Sequence, residues 1–278
     1  MGLKRLRAVS ATPAATGGRD SAVGGDAVTP DARRVSLILV ANVALFDPCY
    51  LGALRPTDAG HARRVLEALG DTVQLVDGRC CGQPGFNAGF RAEARTVGRE
   101  LLRAVKDRDV IVAASGSCVS MVTHYLPGLF EGTKAAGAMR IADRFHEFVA
   151  YVASHPNLDQ VPLKLDGAVA YHDSCHYRRE LGLSALAISV LERVQGLEIR
   201  RLRFEEECCG FGGSFSVKLP EVSAGMMRSK LNDVKETGAR VLVSTDFSCL
   251  AHLEAGARGL EQPLETWTIA ELLARALG

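Results

Sequence analysis

The chain has 278 residues, 47% of them hydrophobic and 23% charged, with a net charge of +1. That is ample apolar material for a sizeable core, and the balanced charge, with no basic stripe carrying aromatics, argues against a nucleic-acid partner. No run of 18 or more apolar residues is present to cross a membrane. Eight cysteines with no apolar export signal point to metal or redox work in a reducing cytoplasm, not to a disulfide framework.

Residues 1–34 are rich in Ala, Gly, Thr and Arg without apolar periodicity. They read as a disordered extension, and they lack the apolar h-region of a secretory signal. Val35–Ala44 is a nearly continuous β-branched apolar run, which predicts a strand buried on both faces. Thr57–Leu69 has helical spacing and ends at Gly70, placed as a C′ glycine. "DTVQLVD" predicts a short strand leading to Cys80, Arg91–Val105 an amphipathic helix, and "DVIVAAS" a buried strand leading to Cys118. A helix near Ile141–Ser154 and the segment "HPNLDQVPLKLDG" join this half to a second one. There the order returns: strand "GAVAYHD", helix Ser184–Val194, strand "LEIRRLR", helix Pro220–Glu236, strand "ARVLVST". "LETWT" and Ile269–Leu277 supply a last strand and helix. The alternation predicts an α/β fold of two pseudo-repeated halves, residues 35–155 and 156–278, each a small parallel sheet flanked by helices.

The cysteines repeat with the elements. Cys49, Cys80, Cys81 and Cys118 match Cys175, Cys208, Cys209 and Cys249 at offsets of 126, 128, 128 and 131 residues. Each half reads Cys, then Cys-Cys-Gly, then Ser-Cys, and each cysteine group follows a strand. In a parallel sheet the carboxyl ends of the strands share one edge, where such folds bind ligands. The prediction is two four-thiol sites in one molecule.

Four thiolates in one pocket hold zinc or an iron–sulfur cluster. Paired CxxC knuckles and the ferredoxin run are both absent. Adjacent cysteines diverge, which suits ligands to different irons better than chelation of one small ion. Gly82 and Gly210 let the backbone turn after the thiols, while Gly85, Gly212 and Gly213 let amide N–H groups approach the sulfurs.

Around these positions, His172 and His176 are protonatable neighbours of Cys175, and Asp173, like Asp47, is predicted to cap a helix. Asn87, Ser214, Ser216 and Lys218 fall near the mouths of the sites. His176 as a proton donor and Lys218 as an attractor of a carboxylate are the two catalytic candidates. Met226 and Met227 read as core. No nucleophile elbow is present, and "GFGG" lacks the spacing of a dinucleotide loop.

The doubled pattern resembles the cysteine-rich CCG domain of heterodisulfide reductase B subunits, of the glycolate oxidase iron–sulfur subunit and of the lactate utilization protein A family. The likeness runs over roughly residues 36–277. "CCGQPGFNAGF", "AASGSC", "CCGFGGSFSVKLPEVSAGMM" and "DFSCL" most resemble the last of these. The resemblance implies an iron–sulfur oxidoreductase subunit, carrying [4Fe-4S] clusters, in the oxidation of L-lactate to pyruvate. It implies a ferredoxin-type iron–sulfur partner, a third lactate utilization subunit and a small carboxylate substrate. The broader family ends each motif with a further cysteine pair, so that five thiols hold a non-cubane cluster. Here Ser115 and Asp246 stand at the first position of that pair, which leaves four thiols per site and leaves zinc open for one of them. A zinc-binding scaffold subunit and a heterodisulfide-reductase-like disulfide reductase are the alternative readings.

Overall fold

The computed structural model describes residues 41–76, 79–258 and 264–278. The extension expected at residues 1–34, and the first part of the strand expected from Val35, lie outside these. In the first half β1 (Asn42–Phe46), β2 (Thr72–Val76), β3 (Val110–Ala113) and β4 (Phe145–Glu147) form a parallel sheet in the order β2-β1-β3-β4. In the second, β5 (Lys164–His172), β6 (Gln195–Arg201), β7 (Val241–Ser244) and β8 (Glu265–Thr268) repeat it as β6-β5-β7-β8, again parallel. The predicted α/β architecture of two pseudo-repeated halves is the one observed.

The helices Arg91–Val105 and Pro220–Glu236 have the predicted bounds. The expected helix near Ile141–Ser154 is instead two helices, Gly132–Ala142 and Phe148–Ser154, with β4 between them. A three-residue strand shows no period-2 pattern, so its signal is lost between helical stretches. The second helix restarts because the Glu147 carboxylate accepts from the Val149 and Ala150 N–H groups at 2.8 and 3.0 Å. Thr268, at the matching end of β8, caps Ile269–Ala276 by accepting from Glu271 N–H at 3.1 Å.

Period-2 alternation gives each sheet two apolar faces. Val43, Leu45 and Val112 of the first sheet share a core with Val169, Tyr171 and Val243 of the second. The opposite faces pack separately: Ala44, Phe46, Ile111 and Ala113 against Leu101 and Val105, and Ala170 and Leu242 against Leu231, Val234 and Leu253. The contacts between halves are reciprocal. Helix Ile269–Ala276 packs on Asp58–Ala68, and helix Phe148–Ser154 packs on Ser184–Leu191. Neither half buries its inner sheet face without the other, and both sheets lie in one compact unit.

Glu147 is fully buried, and burial pushes its carboxyl up to about 8. A carboxyl raised on folding binds more protons in the native state than in the unfolded one between about pH 4.5 and 8. Its contribution to stability is therefore full below that window and is lost as pH rises through it, by at most about 1.4 kcal/mol per pH unit. Denaturation midpoints of Glu147→Gln, compared with wild type across pH 5 to about 8, are expected to lose this slope. Equal slopes would show that Glu147 is ionised in both states.

Candidate metal centre

The reciprocal packing decides where the cysteines go. Helices that the sequence did not reveal follow β1, β3 and β7: Cys49–Leu54, Gly116–Ser120 and Phe247–Ala257, while a π-turn, His176–Glu180, follows β5. Helix Cys49–Leu54 of the first half packs on Phe247–Ala257 of the second, and Gly116–Ser120 packs on His176–Glu180. Each cysteine-bearing segment thus faces one from the other repeat. Tyr50 lies against Phe211 and Phe247, with centroids 5.5 and 5.9 Å apart, and Arg55 bonds Glu254 at 2.6 Å.

The result sharpens the expectation of two sites. All eight cysteines, every one a free thiol, line a single cavity of about 530 Å³ between the halves. The two quartets keep separate contacts within it. Cys49 and Cys81 are each hydrogen-bonded to Cys80, and Cys81 also to Cys118; Cys175 and Cys209 are bonded to Cys208, and Cys209 to Cys249.

Those contacts sort the thiols by charge. The bond from Cys49 holds Cys80 far below the usual thiol range, at about 2, and Cys175 does the same for Cys208. Gly82 and Gly210 N–H groups reinforce this, each 3.4 Å from the Sγ two residues back. Cys49, Cys81, Cys175 and Cys209 are driven up, first by donating those bonds and then by burial. Removing these protons too requires a positive charge among the sulfurs, which metal ions supply. The donor set therefore fits a thiolate-bound metal centre in each half.

Gly82 and Gly210 are held at φ of 90° and 89°, a region that favours glycine. Gly212 and Gly213 line the cavity, but Gly85 does not; it packs beside Ala94, 3.6 Å from the place a Cβ would take. Asn87, Ser216 and His176 also line it. His176 sits with Nδ1 3.7 Å from Cys175 Sγ and Nε2 3.3 Å from Gln83 Nε2. Lys218 is exposed at the end of Ser214–Lys218 and is not among the lining residues, so the carboxylate-attracting role drawn from sequence has no geometric support.

The predicted caps are corrected. Asp173 receives Ser184 Oγ at 2.5 Å and Arg178 Nη1 at 3.4 Å, while Asp47 Oδ1 is buried without a partner among the described residues; neither caps a helix. Ser174, one residue nearer the turn, takes that role through Tyr177 N–H at 3.4 Å. The actual caps are Ser115, which accepts from Cys118 N–H at 3.4 Å, and Asp246, whose Oδ1 accepts from Ser248 N–H at 3.2 Å and Oγ at 2.6 Å. Asp246 Oδ2 also accepts from Ser117 N–H of the other half at 2.8 Å. Asp246→Ala is expected to cost about 2–4 kcal/mol in chemical denaturation, since it removes a cap and a charge-assisted bond across the halves. Asp246→Asn, which keeps one acceptor oxygen and puts an amide donor in place of the other, is expected to cost less than Asp246→Ala; equal losses would show that a single retained acceptor contributes nothing.

Sequence reasoning missed the aromatic wall of Tyr50, Phe211 and Phe247, and the link through Gln83 to Ser117 O at 3.0 Å. It also missed how close His172 comes to Cys209 and Cys249, whose ligating atoms lie within 4.8 Å of one another. His172 is fully buried, and burial lowers it to about 4, which leaves the imidazole neutral.

A family model for the cysteine-rich CCG domain matches residues 43–123 and again 169–254. Lactate utilization protein A of Geobacillus kaustophilus is 36% identical over 236 residues, covering 84% of this chain and 98% of that protein. Lactate utilization protein A 1 of Bacillus anthracis is 31% identical over 239 residues, covering 85% and 99%. A solved structure of an aspartate racemase homologue from Pyrococcus horikoshii covers 85% of this chain and 96% of its own at 13% identity, with a TM-score of 0.28, below that of a shared fold. Two matched repeats and relatives similar over nearly their whole length place the chain, with its two cysteine-rich CCG domains, in the lactate utilization protein A family.

Proposed function

We propose that the chain is an iron–sulfur oxidoreductase subunit that takes part in oxidising L-lactate to pyruvate. The observation that carries this is the convergence of two free-thiol quartets on one cavity. The substrate comes from the names of the relatives. Oxidation of lactate to pyruvate releases two electrons and two protons. Clusters of the [4Fe-4S] type, when bound, accept and release electrons singly.

The chain's own residues prepare for that chemistry. Cys49, Cys80, Cys81 and Cys118 would hold one centre, and Cys175, Cys208, Cys209 and Cys249 the other. Gly82 and Gly210 N–H groups lower charge on the adjacent sulfurs by hydrogen bonding. Tyr50, Phe211 and Phe247 wall the cavity, and its volume suits a small ligand. His176 stands between Cys175 Sγ and Gln83 Nε2, where its imidazole is placed to pass a proton to or from the site. A ferredoxin-type iron–sulfur protein and a third subunit complete the assembly in a reducing cytoplasm, with residues 35–155 and 156–278 as the two repeats. No helix among the described residues is long and apolar enough to cross a membrane.

Deletion of the gene tests the assignment. The strain is expected to lose growth on L-lactate, to keep growth on pyruvate, and to be restored by the wild-type gene but not by Cys81→Ser. Undiminished growth on lactate would overturn it.

A further inference from the structure

The halves repeat strand for strand, yet one buried position beneath the quartets differs in chemistry. β1 ends in Phe46 and β5 in His172, each wholly buried and each three residues ahead of a cavity cysteine. Both strands are the second in their sheets and pair with equivalent neighbours, Phe46 opposite Ala113 and His172 opposite Ser244. Phe46 is satisfied by packing: its ring meets Phe145 edge-on at 6.1 Å within an apolar core.

Nothing among the described residues satisfies His172. Neither Nδ1 nor Nε2 has a hydrogen-bond partner among the described residues, and both are closed to solvent. Buried polar atoms are nearly always paired, and an unpaired one is unfavourable enough to need a reason. The neighbouring polar groups are already engaged. Lys230 Nζ donates to Phe204 O and pairs with Asp233 at 3.7 Å. Asp246 is held by Ser248 and by Ser117. What faces the ring is sulfur: a ring nitrogen and the Sγ atoms of Cys209 and Cys249 lie within 4.8 Å of one another, three donors around one point.

We propose that His172 is a ligand, through a ring nitrogen, of the metal centre held by Cys175, Cys208, Cys209 and Cys249. The second half then offers five protein donors and the first half four, because its matching position carries the phenyl ring of Phe46. The two centres are inequivalent as a consequence. A neutral imidazole adds a donor without adding negative charge, so the two centres differ in donor set and therefore in electron affinity. The inference rests on the quartets holding metal, and it applies to iron or to zinc.

The test uses the full-length protein, purified anaerobically and reduced with dithionite, with histidine supplied as nitrogen-14 or nitrogen-15. Pulsed electron paramagnetic resonance is expected to show a nitrogen coupling of direct-bond strength that changes with the histidine isotope. His172→Phe, which copies the first half, is expected to lose that coupling while the other iron signal persists. Iron–sulfur signals with no strongly coupled histidine nitrogen, or the same coupling in His172→Phe, would overturn the ligand while leaving the iron–sulfur reading intact. If the protein holds zinc, X-ray absorption at the zinc edge replaces the resonance. An imidazole shell lost in His172→Phe supports the ligand, and an all-sulfur shell overturns it. Metal-free protein overturns both readings.

Discussion

Cys81→Ser and Cys209→Ser are each expected to lower the metal content of the anaerobically purified protein by about half, because a centre is lost when one of its ligands is no longer a thiolate. The geometry behind this is the separation of the quartets. Every thiol–thiol hydrogen bond made by Cys80 and Cys81 stays in the first half, and every one made by Cys208 and Cys209 stays in the second. Both substituted positions are buried, so a serine hydroxyl there gains no water in exchange for the lost metal bond. Metal analysis of the two single variants and the double variant checks it. Retention of one centre in each single variant is the expected outcome. Loss of all metal from either one would show that the shared cavity loads as a unit.

Gly210→Ala is expected to cost more than most surface changes and to empty the second site selectively. Its φ of 89° is strained for any side chain, which alone costs roughly 1–3 kcal/mol. A Cβ there would also stand 2.6 Å from Ser223 O and 2.9 Å from Met226 Cβ, so the loop carrying Cys208 and Cys209 has to move away from helix Pro220–Glu236. Gly225→Ala, in the interior of that helix with nothing within 4 Å of its Cβ, is the contrasting control. It is expected to leave metal content unchanged and to stabilise the helix by about 1 kcal/mol. Thermal unfolding and metal analysis of both variants check the pair; an equal effect of the two would remove the special role given to the turn after the cysteines.

The same turn shows what a sequence can reveal. The two Cys-Cys-Gly motifs, their spacing and the alternation of apolar strands with amphipathic helices are local signals, and they locate both sheets and all eight thiols. Gly82 and Gly210 are legible for the same reason, because a chain that must turn sharply straight after two adjacent thiols needs a residue without a side chain there. Relations between the halves leave no such trace. That Cys49–Leu54 packs on Phe247–Ala257, so that the quartets open on one cavity, depends on the exchange of helices between repeats. β4 is hidden by its length, and Asp173 reads as a cap only because the serine beside it, which sits closer to the turn, has the same hydrogen-bonding signature. The difference between Phe46 and His172 is visible as two letters. Its meaning comes from the burial of both rings and the sulfurs facing one of them.

Lys230 continues that asymmetry. It is fully buried and paired with Asp233, whose oxygens accept from Arg203 and Phe204 N–H at 2.8 and 2.9 Å. The pair fixes the segment that leads into Cys208. In the first half the facing helix presents only apolar side chains to its core, among them Leu101 and Leu102. A metal held by the first quartet would thus face apolar packing and one held by the second a buried ion pair, a difference that burial and dielectric would convert into different electron affinities.

The iron and acid-labile sulfide content of the full-length protein, purified without oxygen, together with its absorption spectrum, tests the iron–sulfur assignment most directly. Brown protein is expected, with a broad band at about 400 nm and iron and sulfide present in matching amounts. Colourless protein that holds zinc and no sulfide would contradict it.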